Sequence, residues 1–283
     1  MQVSHNISAF NVFRNYTNNV NGLRKSMSKL SSGSRINNAG DDPSGLAMSE
    51  RLRAQARNTS AAAGNVENKL NYLQTADSWL QKIHDMVGRM SELAVMAHDG
   101  TKSQTDRDVL QAEFSQMKQE IIRITDGSSS AGKFNGIALF QGATGLSQQV
   151  GADGGQIFSS DAPDLQSTST ASIASGLVWG SLIASDCMTI SAQTAASTAI
   201  SALQSGIDYI SQKRSDIGAE MKRMNETLDG LHSYEENITA TESRIRDVDV
   251  AKETAEMSKF QILQQVGTAM LAQANQLPQG VLQ

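Results

Sequence analysis

The chain is poor in the residues that interrupt or cross-link a fold. Three prolines in 283 residues leave room for helices far longer than those of ordinary domains. A single cysteine, Cys187, excludes an intrachain disulfide framework and a multi-cysteine metal site. Aromatic residues, at 5%, are too few for the packed centre of a compact enzyme. No apolar run is long enough to span a bilayer, and Met1 to Tyr16 holds no apolar stretch of the length a cleaved secretory signal needs. Read alone, these absences place the chain in the cytoplasm or make it an export substrate without a cleaved signal. Charge is missing too: the last 24 residues, Phe260 to Gln283, carry none, yet seven of them are glutamine.

An amphipathic stripe runs through that uncharged stretch, at Phe260, Leu263, Val266, Met270, Ala274, Leu277 and Val281. Neutral amides, not Lys and Glu, occupy its other face. The amino end has a matching stripe at Ile7, Phe10, Phe13, Tyr16, Val20, Leu23, Met27 and Leu30. Such segments are too polar to cross a membrane and too apolar to remain in water alone. They read as surfaces made to be buried against copies of the chain or a partner.

Between the two ends the sequence predicts long helices around a different centre. The first helix, residues 6–30, stops at Ser31-Ser32-Gly33, and Asp41-Asp42-Pro43-Ser44 offers carboxylate caps and a first-turn proline to the next. That second helix runs over 44–98 on Val66, Leu70, Leu73, Ala76, Leu80, Ile83, Val87, Met90 and Leu93, with Gly100 as a stop. Ser103 or Thr105 caps a third, carrying Leu110, Phe114, Met117, Ile121 and Ile124 and ended by Gly127. A fourth keeps a 3-4 alternation from Ile200 to Ile245, about 70 Å at 1.5 Å per residue. Arg214, Glu235 and Glu242 interrupt its seam and are expected to snorkel or pair across helices. From Gly127 to Thr194 the helical period vanishes. Phe134-Asn135-Gly136-Ile137 and the Val150 to Gly155 run read as strands and turns of a hairpin, and residues 160–198, rich in Ser, Thr and Ala, as surface loop.

Net charge is −5, but residues 1–60 hold eight basic against three acidic side chains, leaving +5 there and −10 elsewhere. The basic residues are dispersed along a helical pattern, so a solvated face meeting an acidic neighbour is expected and nucleic acid is not.

Motifs for chemistry are weak. Gly127-Ser128-Ser129-Ser130-Ala131-Gly132-Lys133-Phe134 imitates a phosphate-binding loop until Phe134 replaces the magnesium-holding hydroxyl, and it follows a helix where a strand is required. The four histidines, His5, His84, His98 and His232, never fall at i, i+4 spacing. Asp247 and Asp249 sit in a mixed-charge run that reads as salt bridging. No nucleophile elbow or metal signature is present, so an enzyme, a metal site and a cofactor are not expected.

Two long motifs then identify a family. Leu30-Ser31-Ser32-Gly33-Ser34-Arg35-Ile36-Asn37-Asn38-Ala39-Gly40-Asp41-Asp42-Pro43-Ser44-Gly45-Leu46-Ala47 closely resembles the amino-terminal signature of bacterial flagellins. Ser243-Arg244-Ile245-Arg246-Asp247-Val248-Asp249, followed by Ile262 to Gln276, resembles their carboxy-terminal one. Phe134-Asn135-Gly136 and Gln149-Val150-Gly151-Ala152-Asp153 are similar to the flagellin core hairpin. The resemblance covers residues 1–158 and 195–283 and leaves only a short centre unmatched.

The resemblance implies a mainly α fold: long coiled-coil helices from both chain ends forming a rod, with a small β-hairpin region in the middle. It divides the chain into an inner-core helix and spoke over 1–43, an outer-core segment with hairpin and short central loop over 44–194, a long helix over 195–246 and a second inner-core helix over 247–283. The implied function is a filament subunit that polymerises head-to-tail for swimming motility, its termini folding on assembly; a hook–filament junction protein is the alternative. The implied assembly residues are Ile7, Phe10, Phe13, Leu23, Leu30, Phe260, Leu263, Val266, Met270 and Leu277. Implied partners are further copies, junction and cap proteins, an export chaperone and the flagellar type III export apparatus. Arg89, Leu93 and Glu113 match a patch that binds Toll-like receptor 5 in some flagellins, with Gly88 and Ser91 departing from the longer side chains of recognised ones. The implied location is an external flagellum, a sheathed or periplasmic filament being the variant. A zinc peptidase inserted in the centre and a membrane-inserting helical translocator are the readings from other classes. The missing His-Glu-x-x-His and the short centre oppose the first, and the absence of a spanning run opposes the second.

Overall fold

In a computed structural model, residues 6–126, 130–142, 146–167, 169, 172–174, 177–183 and 188–276 are described. They form a mainly α protein of two compact units: Met1–Arg57 with Glu235–Gln283, and Asn58–Tyr234. The expected helices are all present.

In the first unit, α1 spans Ile7–Ser32, and the Asn6 side chain caps it by accepting the Ala9 N–H at 3.0 Å. Gly33 closes it in the left-handed region, φ 68°, where a side chain would be strained. The Val248 N–H then donates to Gly33 O at 3.0 Å and the Arg35 N–H to Arg246 O at 2.6 Å, so the segments after α1 and before α6 run as a short antiparallel bridge. The proline start is as read: α2 begins at Pro43 and runs to His98, with Asp42 Oδ1 accepting the Gly45 N–H at 2.9 Å. A Cβ at Gly45 would strike both Asp42 and Ile36, the latter 1% exposed. Helix α5 spans Gln193–Arg246, and α6 spans Val250–Gln276, capped by Asp249, which accepts the Lys252 N–H at 3.1 Å. Two ion pairs tie the amino end of α2 to the carboxyl end of α5: Arg53 to Glu242 at 3.0 Å and Arg246 to Glu50 at 2.6 Å.

The second unit has its core where the stripes predict. On α2, Val66, Leu70, Leu73, Ala76, Leu80, Ile83, Val87, Met90 and Leu93 are all buried. They meet Phe114, Ile121 and Ile124 of α3 (Gln104–Thr125) and Leu203, Ile210, Ile217 and Met224 of α5. Ser103 forms a capping box with Asp106 at the start of α3. Arg214, in the α5 seam, pairs with Asp77 at 2.8 Å and also donates to Gln81. Of the three expected seam breakers, Arg214 and Glu242 therefore pair across helices.

The centre matches the expectation in its hairpins and departs from it beyond them. The hairpin at Asn135-Gly136 is present, with β1 (Lys133–Phe134) paired to β2 (Ile137–Ala138) across two positive-φ residues. The Val150 to Gly155 run is also part of a hairpin, as the turn joining β3 (Leu146–Gln149) to β4 (Ile157–Ser160). Residues 160–198, read as surface loop, supply core instead. Leu165, Trp179, Leu182, Ile183 and Ile190 are buried, and β5 (Ser172–Ala174), β6 (Leu177–Val178) and α4 (Trp179–Ile183) form between them. The Trp179 Nε1–H donates to Leu165 O at 2.7 Å, and the Tyr209 hydroxyl to Asp164 O at 3.3 Å. Elements of two to five residues are too short to display a period. The α3 stop expected at Gly127 and the single cysteine, Cys187, lie outside the described residues.

The phosphate-loop imitation has a structural use. Past Gly127, Ser128 and Ser129, which lie outside the described residues, the Ala131 and Gly132 N–H groups donate back to Arg123 O and Ile124 O, the last carbonyls of α3. Those two amides are spent on the helix end.

Candidate assembly surface

Helices α1 and α6 pack as an antiparallel pair. Four contacts fix their register: Lys29 with Glu253 at 3.8 Å, Gly22 under the Phe260 ring, Gly267 under the Tyr16 ring, and the Asn6 side-chain amide donating to Ala274 O at 2.9 Å. The two glycines are notches for aromatic rings. A Cβ at Gly22 would lie 2.6 Å from Phe260 Cε1, and one at Gly267 would lie 3.1 Å from Tyr16 Cδ2. Small residues thus let two helices approach where a large ring fills the gap.

This seam uses a different face of α6 from the stripe read in the sequence. Phe260, Gln264, Gly267, Leu271 and Ala274 are the partly or fully covered positions. Leu263, Val266 and Met270 face away and are exposed, as is Ile262. On α1, Leu23 and Leu30 are half-buried, whereas Ile7, Phe10, Phe13 and Met27 are exposed, Phe10 to 67%. Of the ten residues the resemblance assigns to assembly, Leu23, Leu30 and Phe260 therefore belong to the intrachain seam. Ile7, Phe10, Phe13, Leu263, Val266 and Met270 form exposed apolar surface among the described residues. Leu277 lies outside the described residues. The glycine notches were visible in the sequence as glycines inside helical patterns, a signal of close approach that the apolar stripe alone does not carry.

A run of unpaired large apolar side chains on two helices is unusual for a lone soluble chain and marks an interaction surface. On the same helices, Asp249, Lys252, Glu253 and Glu256 lead into a cleft with Lys25, Lys29, Arg35 and Arg244, which charge counting along the chain alone did not reveal.

In the second unit the structure brings Arg89 and Glu113 together on the surface, at 2.9 Å, with Glu92 also bound to Arg89. The hydrogen bonds that Arg89 donates to Glu92 and Glu113 hold its guanidinium above the usual range. Leu93 does not join them at the surface: it is 0% exposed and packed in the core. Among the described residues no group of three or more His, Cys, Asp or Glu could hold a metal ion, and no helix is long and apolar enough to cross a membrane. Three of the histidines stand apart within those residues, and His5 lies outside them.

Comparison with known proteins gives the same picture from end to end. Residues 3–145 match the family described as the bacterial flagellin N-terminal helical region, and residues 200–283 match the bacterial flagellin C-terminal helical region. A flagellin of Halalkalibacterium halodurans is 41% identical, with 100% of this chain and 99% of that protein covered. The flagellar filament 33 kDa core protein of Treponema phagedenis and a flagellin of Bacillus subtilis are each 38% identical, at the same coverage. A crystal structure of Bacillus cereus flagellin is 26% identical, with a TM-score of 0.47 and coverage of 59% of this chain and 88% of that one. Both terminal signatures, the helical architecture and full-length relatives lead to one assignment: the chain belongs to the bacterial flagellins.

Proposed function

We propose that this chain, by its family a structural filament subunit and not an enzyme, polymerises head-to-tail into the flagellar filament used for swimming. The observation that carries the reading is the uncovered apolar set on α1 and α6. Pairing the two helices covers one face of each and leaves Ile7, Phe10, Phe13, Ile262, Val266 and Met270 in water. The ordering entropy of roughly 1–2 kcal/mol per residue is then poorly offset in a monomer, and neighbouring copies supply the missing burial. One copy's surface meets a different surface on the next, and with a rotation that does not close, such contacts propagate helically. Hydrogen exchange tests this directly. Amides of α1 and α6 will exchange freely in dilute monomer and become protected in filaments, while the core of Asn58–Tyr234 is protected in both. Terminal helices already protected in dilute, unaggregated protein would defeat the proposal.

The same reading supplies partners. A chain whose ends order late suits export by the flagellar type III apparatus with a chaperone holding its termini, and junction and cap proteins meet it at the two ends of the filament. The location follows: secreted, in an external flagellum. The junction-protein alternative gains no support from the relatives, which are named as flagellins and filament core proteins.

Recognition by Toll-like receptor 5 is a second proposal, favoured by the surface pair Arg89 and Glu113. With Leu93 buried, the contact would rest on the two polar residues. A cell reporter assay comparing wild-type monomer with Arg89→Ala decides it: a signal reduced about tenfold or more, the loss of a charge-assisted contact, is expected, and equal signals would sink it.

A further inference from the structure

The cleft at the root of the α1–α6 pair has a volume of about 600 Å³ and lies wholly within the first unit. Its carboxylates are already engaged. Glu253 meets Lys29, Asp247 accepts from the Ser243 hydroxyl at 2.6 Å, Asp249 caps α6, and Glu256 meets Lys259 at 3.7 Å. Its cations are engaged only in part, Lys29 through Glu253. Arg35 is spent on Ile245 O, at 2.7 Å, but the side chains of Lys25, Arg244 and Lys252 have no hydrogen-bond or ion-pair partner among the described residues. All three are exposed. Their field reaches beyond the cleft: after the Asn38 and Asn37 amides, Lys25 and Lys29 help hold the Asp41 carboxyl below its usual range. The lining holds five cations against four carboxylates, a net positive balance, and its three unengaged cations favour an anionic visitor.

The chain itself carries the complement. The first unit has twelve basic and ten acidic residues, a balance of +2, whereas Asn58–Tyr234 has twelve against nineteen, a balance of −7. In a polymer every copy presents both. We infer that the cleft formed by Lys25, Arg244 and Lys252 receives a carboxylate-bearing face of Asn58–Tyr234 from a second copy of this chain. The inference rests on the filament reading and adds to the apolar contacts an electrostatic one. It steers the arriving subunit and penalises wrong orientations, since like charges would then face each other.

Zero-length carbodiimide cross-linking of filaments grown from equal amounts of ¹⁴N- and ¹⁵N-labelled full chain tests it, because that reagent joins lysine to carboxylate only where the two already touch. The expected result is mixed-isotope peptides joining Lys25 or Lys252 to an Asp or Glu of residues 58–234. Filaments in which both lysines stay unmodified, or join only carboxylates of residues 1–57 and 235–283, overturn the inference and leave the filament reading standing. Chains that never polymerise defeat the filament reading, and this inference with it.

Discussion

Chains in which Phe10 and Met270 are both replaced by aspartate will stay monomeric at concentrations where the parent chain forms filaments. Neither residue belongs to the seam: both are more than half exposed, so the pair of helices loses no packing when they change. What disappears is burial against neighbours. A large apolar side chain contributes about 1.5–3 kcal/mol when fully covered, so two such losses amount to at least about 3 kcal/mol per subunit. That alone raises the concentration needed for growth by roughly 100-fold, before the cost of bringing two carboxylates into an apolar contact is counted. Deleting residues 1–30 or 260–283 goes further and removes the surface altogether. Sedimentation and electron microscopy give the answer. Normal filaments from either truncation, or an unchanged growth threshold for Phe10→Asp with Met270→Asp, would refute assembly through these helices. Circular dichroism of the second unit's helices must remain unchanged, which separates lost assembly from lost folding.

The second large effect lies at Lys69. This lysine, on α2, is 0% exposed, and its Nζ donates to the Ser160 hydroxyl of β4 at 2.5 Å. Glu220 of α5 shares Ser160, and the rings of Tyr72 and Phe158 flank the ammonium. Burial pushes the Lys69 amine down and the Glu220 carboxyl up, each offset in part by the other's charge. One polar knot therefore fastens the β3–β4 hairpin to two helices. Replacing Lys69 with methionine removes the Ser160 hydrogen bond and the positive charge that offsets the half-buried Glu220, at a cost of about 1–3 kcal/mol. Thermal unfolding of the second unit will fall by roughly 5 °C. Adding Glu220→Leu will recover most of the loss, since two apolar residues replace two desolvated charges.

The pH dependence has a definite sign. A carboxyl whose folded pKa is raised contributes stability that is present below its unfolded value and lost as pH rises through the folded one. Removing the Lys69 charge raises the Glu220 pKa further, so the deficit of Lys69→Met will be small in acid and largest near neutrality. A deficit independent of pH, or a double variant no better than the single, would show that the knot is not electrostatic.

Much of this architecture was legible in the sequence because burial on a helix has a period. Every position that the α2 stripe named lies in the core, though Tyr72, Ala94 and Ala97 are buried outside it, and the caps at Ser103 and Pro43 marked helix starts to within one residue. Leu93 is instructive, since it stood both on that stripe and in the patch carried over by resemblance. The stripe put it in the core, where it is. The centre was not legible. Trp179, Leu182 and Leu165 are buried by a five-residue helix and brief strands in which neither the 3.6 nor the 2.0 repeat can complete itself. The terminal surface was legible by half. Hydrophobicity found residues that would be buried eventually, but it could not divide those covered within the chain from those left for a neighbour. The division depends on where glycine lets a ring sit down, and hydrophobicity does not register an absent side chain.

Two rings seated in two hydrogen-sized vacancies amount to a key with two teeth. Sliding α6 along α1 by one turn, about 5.4 Å, would drive Phe260 against Ser26 or Asn18 and lift Tyr16 off its resting place at the same moment. The two ends can therefore close in one alignment only, and a polymer of such copies need never contain one that closed a step out of place.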